Sequence, residues 1–313
     1  MKSKFSQKFS TFVLQNKGIM KITVIGESNI DISVVPHAEP SAKGCTPGNI
    51  AFHHGGVARN IAHNLCLLKQ EVRLMTVFGG DNFAQGLVES CTKLGMDVSL
   101  SERFEEEKSP IFLSFNDKQG NMQSAVSDIG LNCHLDLAFV KTKMTKINHS
   151  EMVVADTLLS SEAIAYLIDH VQVPFFIDAV SPRRSLRIAE ALELSKKKTF
   201  YALKCNQSEA QALSGTDDVI EAAKVLNAMG IHEVFVTLGA DGVVYSSSKL
   251  TQSNPALSAE VVNATGSGDA FLAGVVFAHT QGITGEAAVP YGLKAAKASL
   301  EVEEMVNPDL QLP

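Results

Sequence analysis

The sequence lacks any long hydrophobic run, and none of its apolar stretches approaches the about 18 residues that a membrane-spanning helix needs. An excess of basic residues is absent as well. The chain has 27 Lys and Arg against 34 Asp and Glu, a net charge of −7, and no stripe of basic side chains. Nucleic-acid-binding domains carry such a stripe, so the composition predicts a globular protein with neither a nucleic-acid nor a membrane partner.

Patterns of paired cysteines are also lacking, because the number of cysteines is odd and no Cys-x-x-Cys pair occurs. The five cysteines are Cys45, Cys66, Cys91, Cys133 and Cys205. Disulfide frameworks use paired cysteines in oxidising compartments. The five are therefore predicted to be reduced residues of a cytoplasmic protein, and not metal ligands.

The 313 residues, of which 45% are hydrophobic, suffice for one large core and a small accessory domain. Residues 1–19 stand apart as an extension with four lysines, no acidic residue and no apolar core of a secretion signal. This extension is either a tail before an internal start at Met20 or a packed N-terminal helix. Residues 20–313 are predicted to form the main domain.

Short apolar segments alternate with helical patterns along most of the chain, which predicts an α/β fold. The predicted strands are 22–26, 72–78, 152–155, 174–179, 200–204, 233–238 and 242–246. About six of them, joined by crossover helices, are expected to form a doubly wound, mostly parallel sheet flanked by helices. Segments without crossover helices break this alternation and predict a small separate β-sheet, a lid formed by residues 32–54 and 109–127.

The stretch Gly266-Ser267-Gly268-Asp269 has the composition of an anion-binding loop. Its glycines allow a positive φ and a close approach of backbone to ligand, and a helix that is apolar nearly all round is predicted to follow, ending before Gly282. The N terminus of that helix offers unpaired N–H groups and the positive end of the helix dipole. With the Asp269 carboxylate beside it, the site suits phosphoryl transfer, in which positioning and charge stabilisation dominate. The alternative is a capped core helix after a glycine turn.

Polar residues near strand ends predict where a small substrate binds. Asn29 and Asp31 follow the first strand, at the carboxyl end where ligands of α/β sheets gather. A polar loop with an Asx turn is the alternative for this segment. Gly55 and Gly56 allow backbone to approach a ligand, and Asn60 points back towards it from the first turn of a helix predicted to begin there.

Two further motifs suit magnesium and nucleotide binding. Asn206 and Glu209 share one face of a predicted helix start, which fits either a magnesium site reached through water or simple helix capping. Thr237, Gly239 and Gly242 close another strand, and their turn suits either nucleotide phosphates or a plain hairpin. Neither a P-loop enzyme nor a standard dinucleotide fold is indicated, because both glycine motifs are absent.

In this order and spacing, the motifs resemble those of ribokinase-like carbohydrate and nucleoside kinases over about residues 20–310. The resemblance implies an ATP- and Mg²⁺-dependent transferase with a ribokinase-like fold that acts on a small molecule and forms a homodimer through the lid. It also implies that Asp269 is the general base for a sugar hydroxyl and that Gly266, Ser267 and Gly268 form the anion hole.

The same resemblance assigns roles to the remaining motifs. Asn206 and Glu209 are implied to organise magnesium and phosphate. The implied nucleotide loop comprises Thr237, Gly239 and Gly242, and the implied sugar-binding groups are Asp31, Gly55, Gly56 and Asn60. Many family members place an aspartate near a monovalent cation where this chain has Asn263, so the resemblance does not carry a tight potassium site over to this chain.

Within the family, four segments are similar to pseudouridine kinases: 55–62, 127–128, 178–181 and 306–310. This narrower resemblance implies transfer of the γ-phosphoryl group of ATP to the 5′-hydroxyl of pseudouridine. Ser127, Asp128 and Ser181 are then the candidates for contacts with the uracil ring, and Asp128 equally fits the end of a hairpin. Asn307 is a candidate nucleotide contact. A kinase for another nucleoside, ribose or a sugar acid stays open, as does a binding protein without turnover.

Overall fold

The computed structural model describes residues 19–40, 44–119 and 122–313. Predictions for residues 1–18, which include nearly all of the N-terminal extension, lie outside the described residues. So do residues 120 and 121 of the predicted hairpin.

A mostly parallel sheet forms the centre of the molecule, as the sequence predicts, and it has eight strands where about six were expected. From one edge to the other, its strands are β14 (Thr251–Asn254), β13 (Val243–Ser247), β12 (Ile231–Thr237), β11 (Phe200–Asn206), β10 (Phe175–Asp178), β9 (Met152–Asp156), β1 (Lys21–Ile25) and β4 (Glu71–Met75). The six strands from β12 to β4 are parallel, and β13 and β14 join them in antiparallel pairs. The carboxyl ends of the six parallel strands therefore share the edge at which α/β proteins bind ligands.

Helices cover both faces of this sheet. Within the described residues they are α1 (Val57–Leu67), α2 (Asn82–Lys93), α3 (Leu137–Lys141), α4 (Met144–Ile147), α5 (Ser161–His170), α6 (Pro182–Leu194), α7 (Gln207–Ser214), α8 (Val219–Ala228), α9 (Ser267–Thr280) and α10 (Val289–Leu300). Successive strand residues face opposite layers, so that Val153 packs into the core on the α5–α8 side and Val154 into the core beneath α1 and α9. Strands buried on both faces explain the continuous apolar runs in the sequence.

The prediction of one strand over 72–78 is wrong. The chain leaves the main sheet after Met75, and β5 (Val77–Gly79) pairs instead with β6 (Glu102–Phe104). The Thr76 N–H donates to the Ser101 hydroxyl at 3.1 Å, so the ladder of the main sheet stops at this residue.

A second, smaller sheet rises from the carboxyl edge of the first. Its four strands, in spatial order, are β3 (Gly48–Gly55), β2 (Asn29–Pro36), β7 (Ile111–Asn116) and β8 (Met122–Asp128). Because paired residues share a face, the register puts one row of side chains on the same face: Asp31, His53, Phe112 and Ser127.

The helix α9 is buried along nearly its whole length, which confirms the prediction of a helix that is apolar all round. Every residue from Asp269 to Thr280 is shielded from solvent, and the helix packs against α1 and α10. Such a helix holds its N terminus rigidly at the carboxyl edge of the sheet. No helix among the described residues combines the length and the apolar character that crossing a membrane requires.

Candidate active site

The loop before α9 adopts a conformation that only glycine tolerates well. Gly266 has a φ of +84°, and a Cβ atom there would lie 2.2 Å from the Met305 carbonyl oxygen. Backbone strain and direct contact both exclude a side chain at this position. The Ser267 hydroxyl donates to the Ala264 carbonyl oxygen at 2.9 Å and closes the loop. The first N–H groups of α9 have no carbonyl partner within the helix, so this end can hold an anion.

Asp269 lies in the first turn of α9 and is only 8% exposed. Its Oδ2 accepts a hydrogen bond of 3.0 Å from Asn60 Nδ2, which joins two motifs 209 positions apart in the sequence. Asn60 belongs to α1, which begins at Val57 and not at Asn60 as predicted, because Gly56, with a non-helical φ of +99°, is already the N-cap residue. The carboxylate of the predicted phosphoryl-transfer loop therefore touches a residue predicted to bind the sugar.

A buried lysine that the sequence analysis did not identify lies beneath the same loop. Lys204, near the carboxyl end of strand β11, forms an ion pair of 3.1 Å between its Nζ and Asp178 Oδ2, and both side chains are almost fully buried. A Cβ atom on Gly268 would lie 2.6 Å from Lys204 Nζ. Gly268 thus makes room for the lysine, whose charge sits directly beside the first turn of α9. Its sequence signal was a lysine near the end of an otherwise apolar strand.

Three buried carboxyl groups determine the electrostatics around this lysine: Asp178, Glu209 and Asp269. Burial, and then the charge of Asp178, raise the pKa of Asp269 to about 8, against the opposing effects of Lys204 and the Asn60 hydrogen bond. Burial lowers the pKa of Lys204, but the surrounding carboxylates outweigh burial and raise it overall. The lysine therefore stays charged, while Asp269 gains the basicity that suits a proton acceptor near neutral pH.

Asn29, Asp31, Gly55 and Gly56 meet where the two sheets join. Asn29 Nδ2 donates to Asp31 Oδ1 at 2.7 Å. A Cβ atom on Gly55 would lie 1.9 Å from Asp31 Oδ2, and one on Gly56 would lie 2.5 Å from the Glu27 carbonyl oxygen. Gly56 is therefore required against this backbone, and a side chain at position 55 would displace the Asp31 carboxylate. Asn29 Oδ1 is buried with no hydrogen-bond partner, which favours a ligand contact, because buried polar atoms are normally paired.

Asn206 and Glu209 form a capping box at the start of α7. Asn206 Oδ1 accepts from the Glu209 N–H at 2.9 Å, and the two carboxylate oxygens of Glu209 accept from Asn206 N and Nδ2 at 2.7 and 2.8 Å. The capping alternative therefore describes this pair, and both oxygens of Glu209 already have a donor. Among the described residues, no three His, Cys, Asp or Glu side chains are grouped so that they could hold a metal ion.

The turn from Thr237 to Gly242 is a hairpin between β12 and β13, as the second of the two interpretations proposed. Gly242 has a φ of +96°, and a Cβ atom there would lie 2.1 Å from the Asn254 carbonyl oxygen, so the hairpin requires this glycine. Gly239 has a φ of +60° and open space around its missing Cβ atom. The Thr237 hydroxyl donates to the Cys205 carbonyl oxygen at 3.3 Å. The turn thus leaves an open backbone surface at Gly239.

Two asparagines near the anion-binding loop hydrogen-bond to backbone groups. Asn307 Nδ2 donates to the Ala298 carbonyl oxygen at 2.8 Å, and its Oδ1 accepts from the Asp309 N–H at 2.9 Å. Asn263 Oδ1 accepts from the Thr265 N–H at 2.9 Å, and its Nδ2 donates to the Glu303 carbonyl oxygen at 2.8 Å. Both side chains therefore shape their own turns.

Two of the three candidates for contacts with uracil, Ser127 and Asp128, lie on opposite faces of the small sheet. Ser127 shares a face of the small sheet with Asp31, whereas the adjacent Asp128 points to the opposite face, and its Oδ1 accepts from the Gly130 N–H at 3.4 Å. This geometry fits the alternative that Asp128 ends the hairpin. Ser181 begins α6 and follows Val180, whose φ of +64° is strained for a β-branched residue. Backbone strain of this kind is often found at functional sites.

The family of this chain follows from comparison with known proteins. A family model described as pfkB family carbohydrate kinase matches residues 20–311. The chain belongs to the PfkB family. This kinase is 30% identical to the pseudouridine kinase of Escherichia coli K12 over 299 residues, which cover 93% of this chain and 94% of the relative. It is 26% identical to the guanosine-inosine kinase of Exiguobacterium acetylicum, over 93% of this chain and 98% of the relative.

A solved structure shows the same fold. The ribokinase of Arabidopsis thaliana, complexed with ribose and ATP, has a TM-score of 0.78 and 18% identity to this kinase, over 94% of this chain and 96% of that one. The predicted ribokinase-like α/β fold with a small additional sheet is therefore confirmed. Family membership also confirms a phosphotransferase that acts on a sugar or nucleoside hydroxyl.

Proposed function

We propose that this PfkB kinase transfers the γ-phosphoryl group of ATP to the 5′-hydroxyl of pseudouridine. The hydrogen bond between Asn60 and Asp269 carries the proposal, because it joins a candidate sugar-binding group to a buried proton acceptor beside an anion-binding helix end. The similarity to the pseudouridine kinase of Escherichia coli supports the choice of substrate.

In the proposed reaction, Asp269 accepts the proton of the 5′-hydroxyl as that oxygen attacks the γ-phosphorus. The bond between the γ-phosphorus and the bridging oxygen breaks, and ADP leaves. Backbone N–H groups of residues 266–268 and the nearby Lys204 charge neutralise the transferring phosphoryl oxygens. Asn29, Asp31 and Asn60 hold the ribose so that its 5′-hydroxyl lies at Asp269.

The residues present fit a magnesium ion that is held mainly by phosphate oxygens and water. Magnesium keeps much of its hydration and uses few protein ligands, so the absence of a three-residue cluster from the described part of the chain does not oppose it. Since both Glu209 oxygens accept hydrogen bonds from Asn206, the pair would act on the ion through water. When bound, the ion would neutralise phosphate charge.

The small sheet is proposed to be both a lid over the substrate and the contact surface of a homodimer. The face of the small sheet opposite Asp31 carries an apolar row across all four strands, in which Phe52, Ile32, Leu113 and Val126 are paired in register. Phe52 is 59% exposed and Val126 62% exposed. Apolar surface of this kind favours a protein partner, and a second copy of the chain is the occupant proposed here.

A second candidate substrate class is a purine nucleoside, which the similarity to a guanosine-inosine kinase favours. The test is ADP release with ATP and Mg²⁺ from equal concentrations of pseudouridine, uridine, ribose, guanosine and adenosine. Turnover of pseudouridine in preference to the others supports the proposal. Preference for guanosine or adenosine would transfer the assignment to the second candidate. Ligand binding without ADP formation would contradict both.

A further inference from the structure

A second pair of buried polar side chains lies near Asp31, at the end of β1. Glu27 follows β1 directly and is 9% exposed, and Asn132, in the 3₁₀ turn after β8, is 6% exposed. Asn132 Nδ2 donates to Glu27 Oε1 at 2.6 Å. Asp31 raises the pKa of both Asp269 and Glu27, so it lies within electrostatic reach of both groups. The phosphoryl-transfer step described above uses neither member of this pair.

Contacts of the scaffold fix the backbone that carries both side chains. The Glu27 N–H donates to Asp156 Oδ2 at 2.8 Å. The turn that carries Asn132 is fixed by His134, whose ring stacks on Phe104 at 3.8 Å and whose Nε2 lies 2.5 Å from Glu107 Oε1. Side chains positioned in this way suit recognition of a ligand with defined geometry.

The Asn132 amide is only half satisfied. Its Nδ2 donates to Glu27, but its Oδ1 is buried with no hydrogen-bond partner. A buried acceptor without a donor is costly, and such atoms are uncommon in folded proteins. The unpaired oxygen belongs to the same amide as the nitrogen that binds Glu27, so it lies beside that carboxyl group. It therefore points to a donor supplied by a ligand.

The spacing of the sheet suits a nucleoside. Glu27 follows β1, and Asp178, which neighbours Asp269, ends β10, two strands away in the order β10-β9-β1. Adjacent strands lie about 4.8 Å apart, so the ends of β1 and β10 are separated by about 10 Å along the edge. A nucleoside with its hydroxyl at Asp269 would extend its base towards Glu27 and Asn132.

The chemistry of the pair matches a ring that carries both N–H and C=O groups. Burial, and then the charge of Asp156, raise the pKa of Glu27 to about 7, while Asn132 and Arg184 lower it. Near neutral pH this carboxyl group can therefore accept a hydrogen bond or donate one. Arg184, in the first turn of α6, lies within electrostatic reach of Glu27 and adds donors for carbonyl oxygens.

We propose that Glu27 and Asn132 are the specificity residues for the base, and that Asn132 Oδ1 accepts a hydrogen bond from a ring N–H. The inference rests on the proposed function and names the part of the site that selects pseudouridine. Pseudouridine carries a free N1–H, whereas in uridine N1 forms the glycosidic bond. An acceptor matched to that N–H discriminates between them, because a substrate that lacks it leaves the buried oxygen unpaired.

The test compares pseudouridine with N1-methylpseudouridine, which lacks this N–H, by kcat/KM for ADP release from the full chain. The unsubstituted kinase is expected to prefer pseudouridine by ~10²-fold or more, within the range seen when a buried polar contact is lost. Asn132→Ala should reduce this preference below ~10-fold, chiefly by raising the KM for pseudouridine. Glu27→Gln should raise that KM as well.

Asn148→Ala is the matched control. Its amide binds the His170 carbonyl oxygen and the Gln172 N–H near the amino end of β9, away from the carboxyl edge. This variant should keep the full preference. If Asn132→Ala does not fold, two measurements still test the proposal. They are the comparison of the two nucleosides with the unsubstituted kinase and the KM of the Glu27→Gln variant for pseudouridine.

The outcomes separate the two proposals. Equal use of the two nucleosides by the unsubstituted kinase, or an undiminished preference in Asn132→Ala, overturns the role of Asn132 and leaves the pseudouridine kinase assignment intact. No turnover of pseudouridine by the unsubstituted kinase overturns the proposed function, and this inference falls with it.

Discussion

Replacement of Lys204 by methionine removes the charge that compensates Asp178 in the interior while keeping a side chain of similar length. The two groups are 3.1 Å apart and almost fully buried, so Asp178 would be left as an uncompensated carboxylate. Breaking a buried pair in this way costs about 3–5 kcal/mol. For a chain of this size, the melting temperature should fall by on the order of 10 °C.

The double variant Lys204→Met, Asp178→Asn tests whether the uncompensated Asp178 carboxylate causes this loss of stability. It removes both charges, so most of the stability lost in the single variant should return. Urea unfolding at neutral pH measures the free energy of unfolding for each variant. Lys224→Met is the control, because its ion pair with Glu221 is 3.9 Å long and more than half exposed, and such pairs contribute at most ~1 kcal/mol.

Catalysis should change in the same variant. Lys204 lowers the pKa of Asp269, so its removal should raise that pKa further. The base would then lose its proton at a higher pH, and the acidic limb of the pH–rate profile should move upwards. The reasoning is refuted if Lys204→Met costs less than ~1 kcal/mol, or if the double variant is no more stable than the single one.

Three other outcomes follow from the site. The pKa of Asp269 in the folded protein, about 8, lies above its ordinary value of 3.8, so the free energy of unfolding falls as pH rises between these values. Asp269→Asn should therefore have a higher melting temperature than the unsubstituted protein near neutral pH, and nearly the same melting temperature near pH ~4. A difference in melting temperature that is the same at both pH values would contradict this expectation. Gly266→Ala should abolish most activity. Gly95→Ala is the control and should keep its activity, because Gly95 has a similar φ of +83° but open space around the Cβ position. Equal losses of activity in the two variants would point to backbone strain alone. Phe52→Glu should convert a dimer into a monomer in sedimentation experiments, and an unchanged mass would exclude this face as the interface.

Much of the fold could be predicted because its signals are local. The parallel strands are buried on both faces and read as continuous apolar runs, and the glycines of the anion-binding loop mark backbone that approaches another group closely. The break at Thr76 could not be predicted in the same way. It depends on pairing with Glu102–Phe104, which follows an entire helix later in the chain.

The candidate site could be proposed from the sequence where each motif carries its own chemistry, as with Asp269 and Asn60, whose side chains the structure brings into contact. The sequence did not point to Lys204, Glu27 and Asn132, because a charged or amide side chain becomes informative only when partners from distant parts of the chain bury it. That Ser127 and Asp128 face opposite sides of the small sheet likewise follows from strand register, which two adjacent residues in the sequence do not reveal.

The most direct test of the central claim is the rate of pseudouridine-dependent ADP release by the unsubstituted kinase and by Asp269→Asn, both with ATP and Mg²⁺. The unsubstituted kinase should convert pseudouridine to its 5′-phosphate, and the variant should be slower by ~10²–10⁴-fold, the usual scale for a positioned base. Full activity in Asp269→Asn would contradict the mechanism. Absence of pseudouridine-dependent ADP release by the unsubstituted kinase would contradict the assigned substrate.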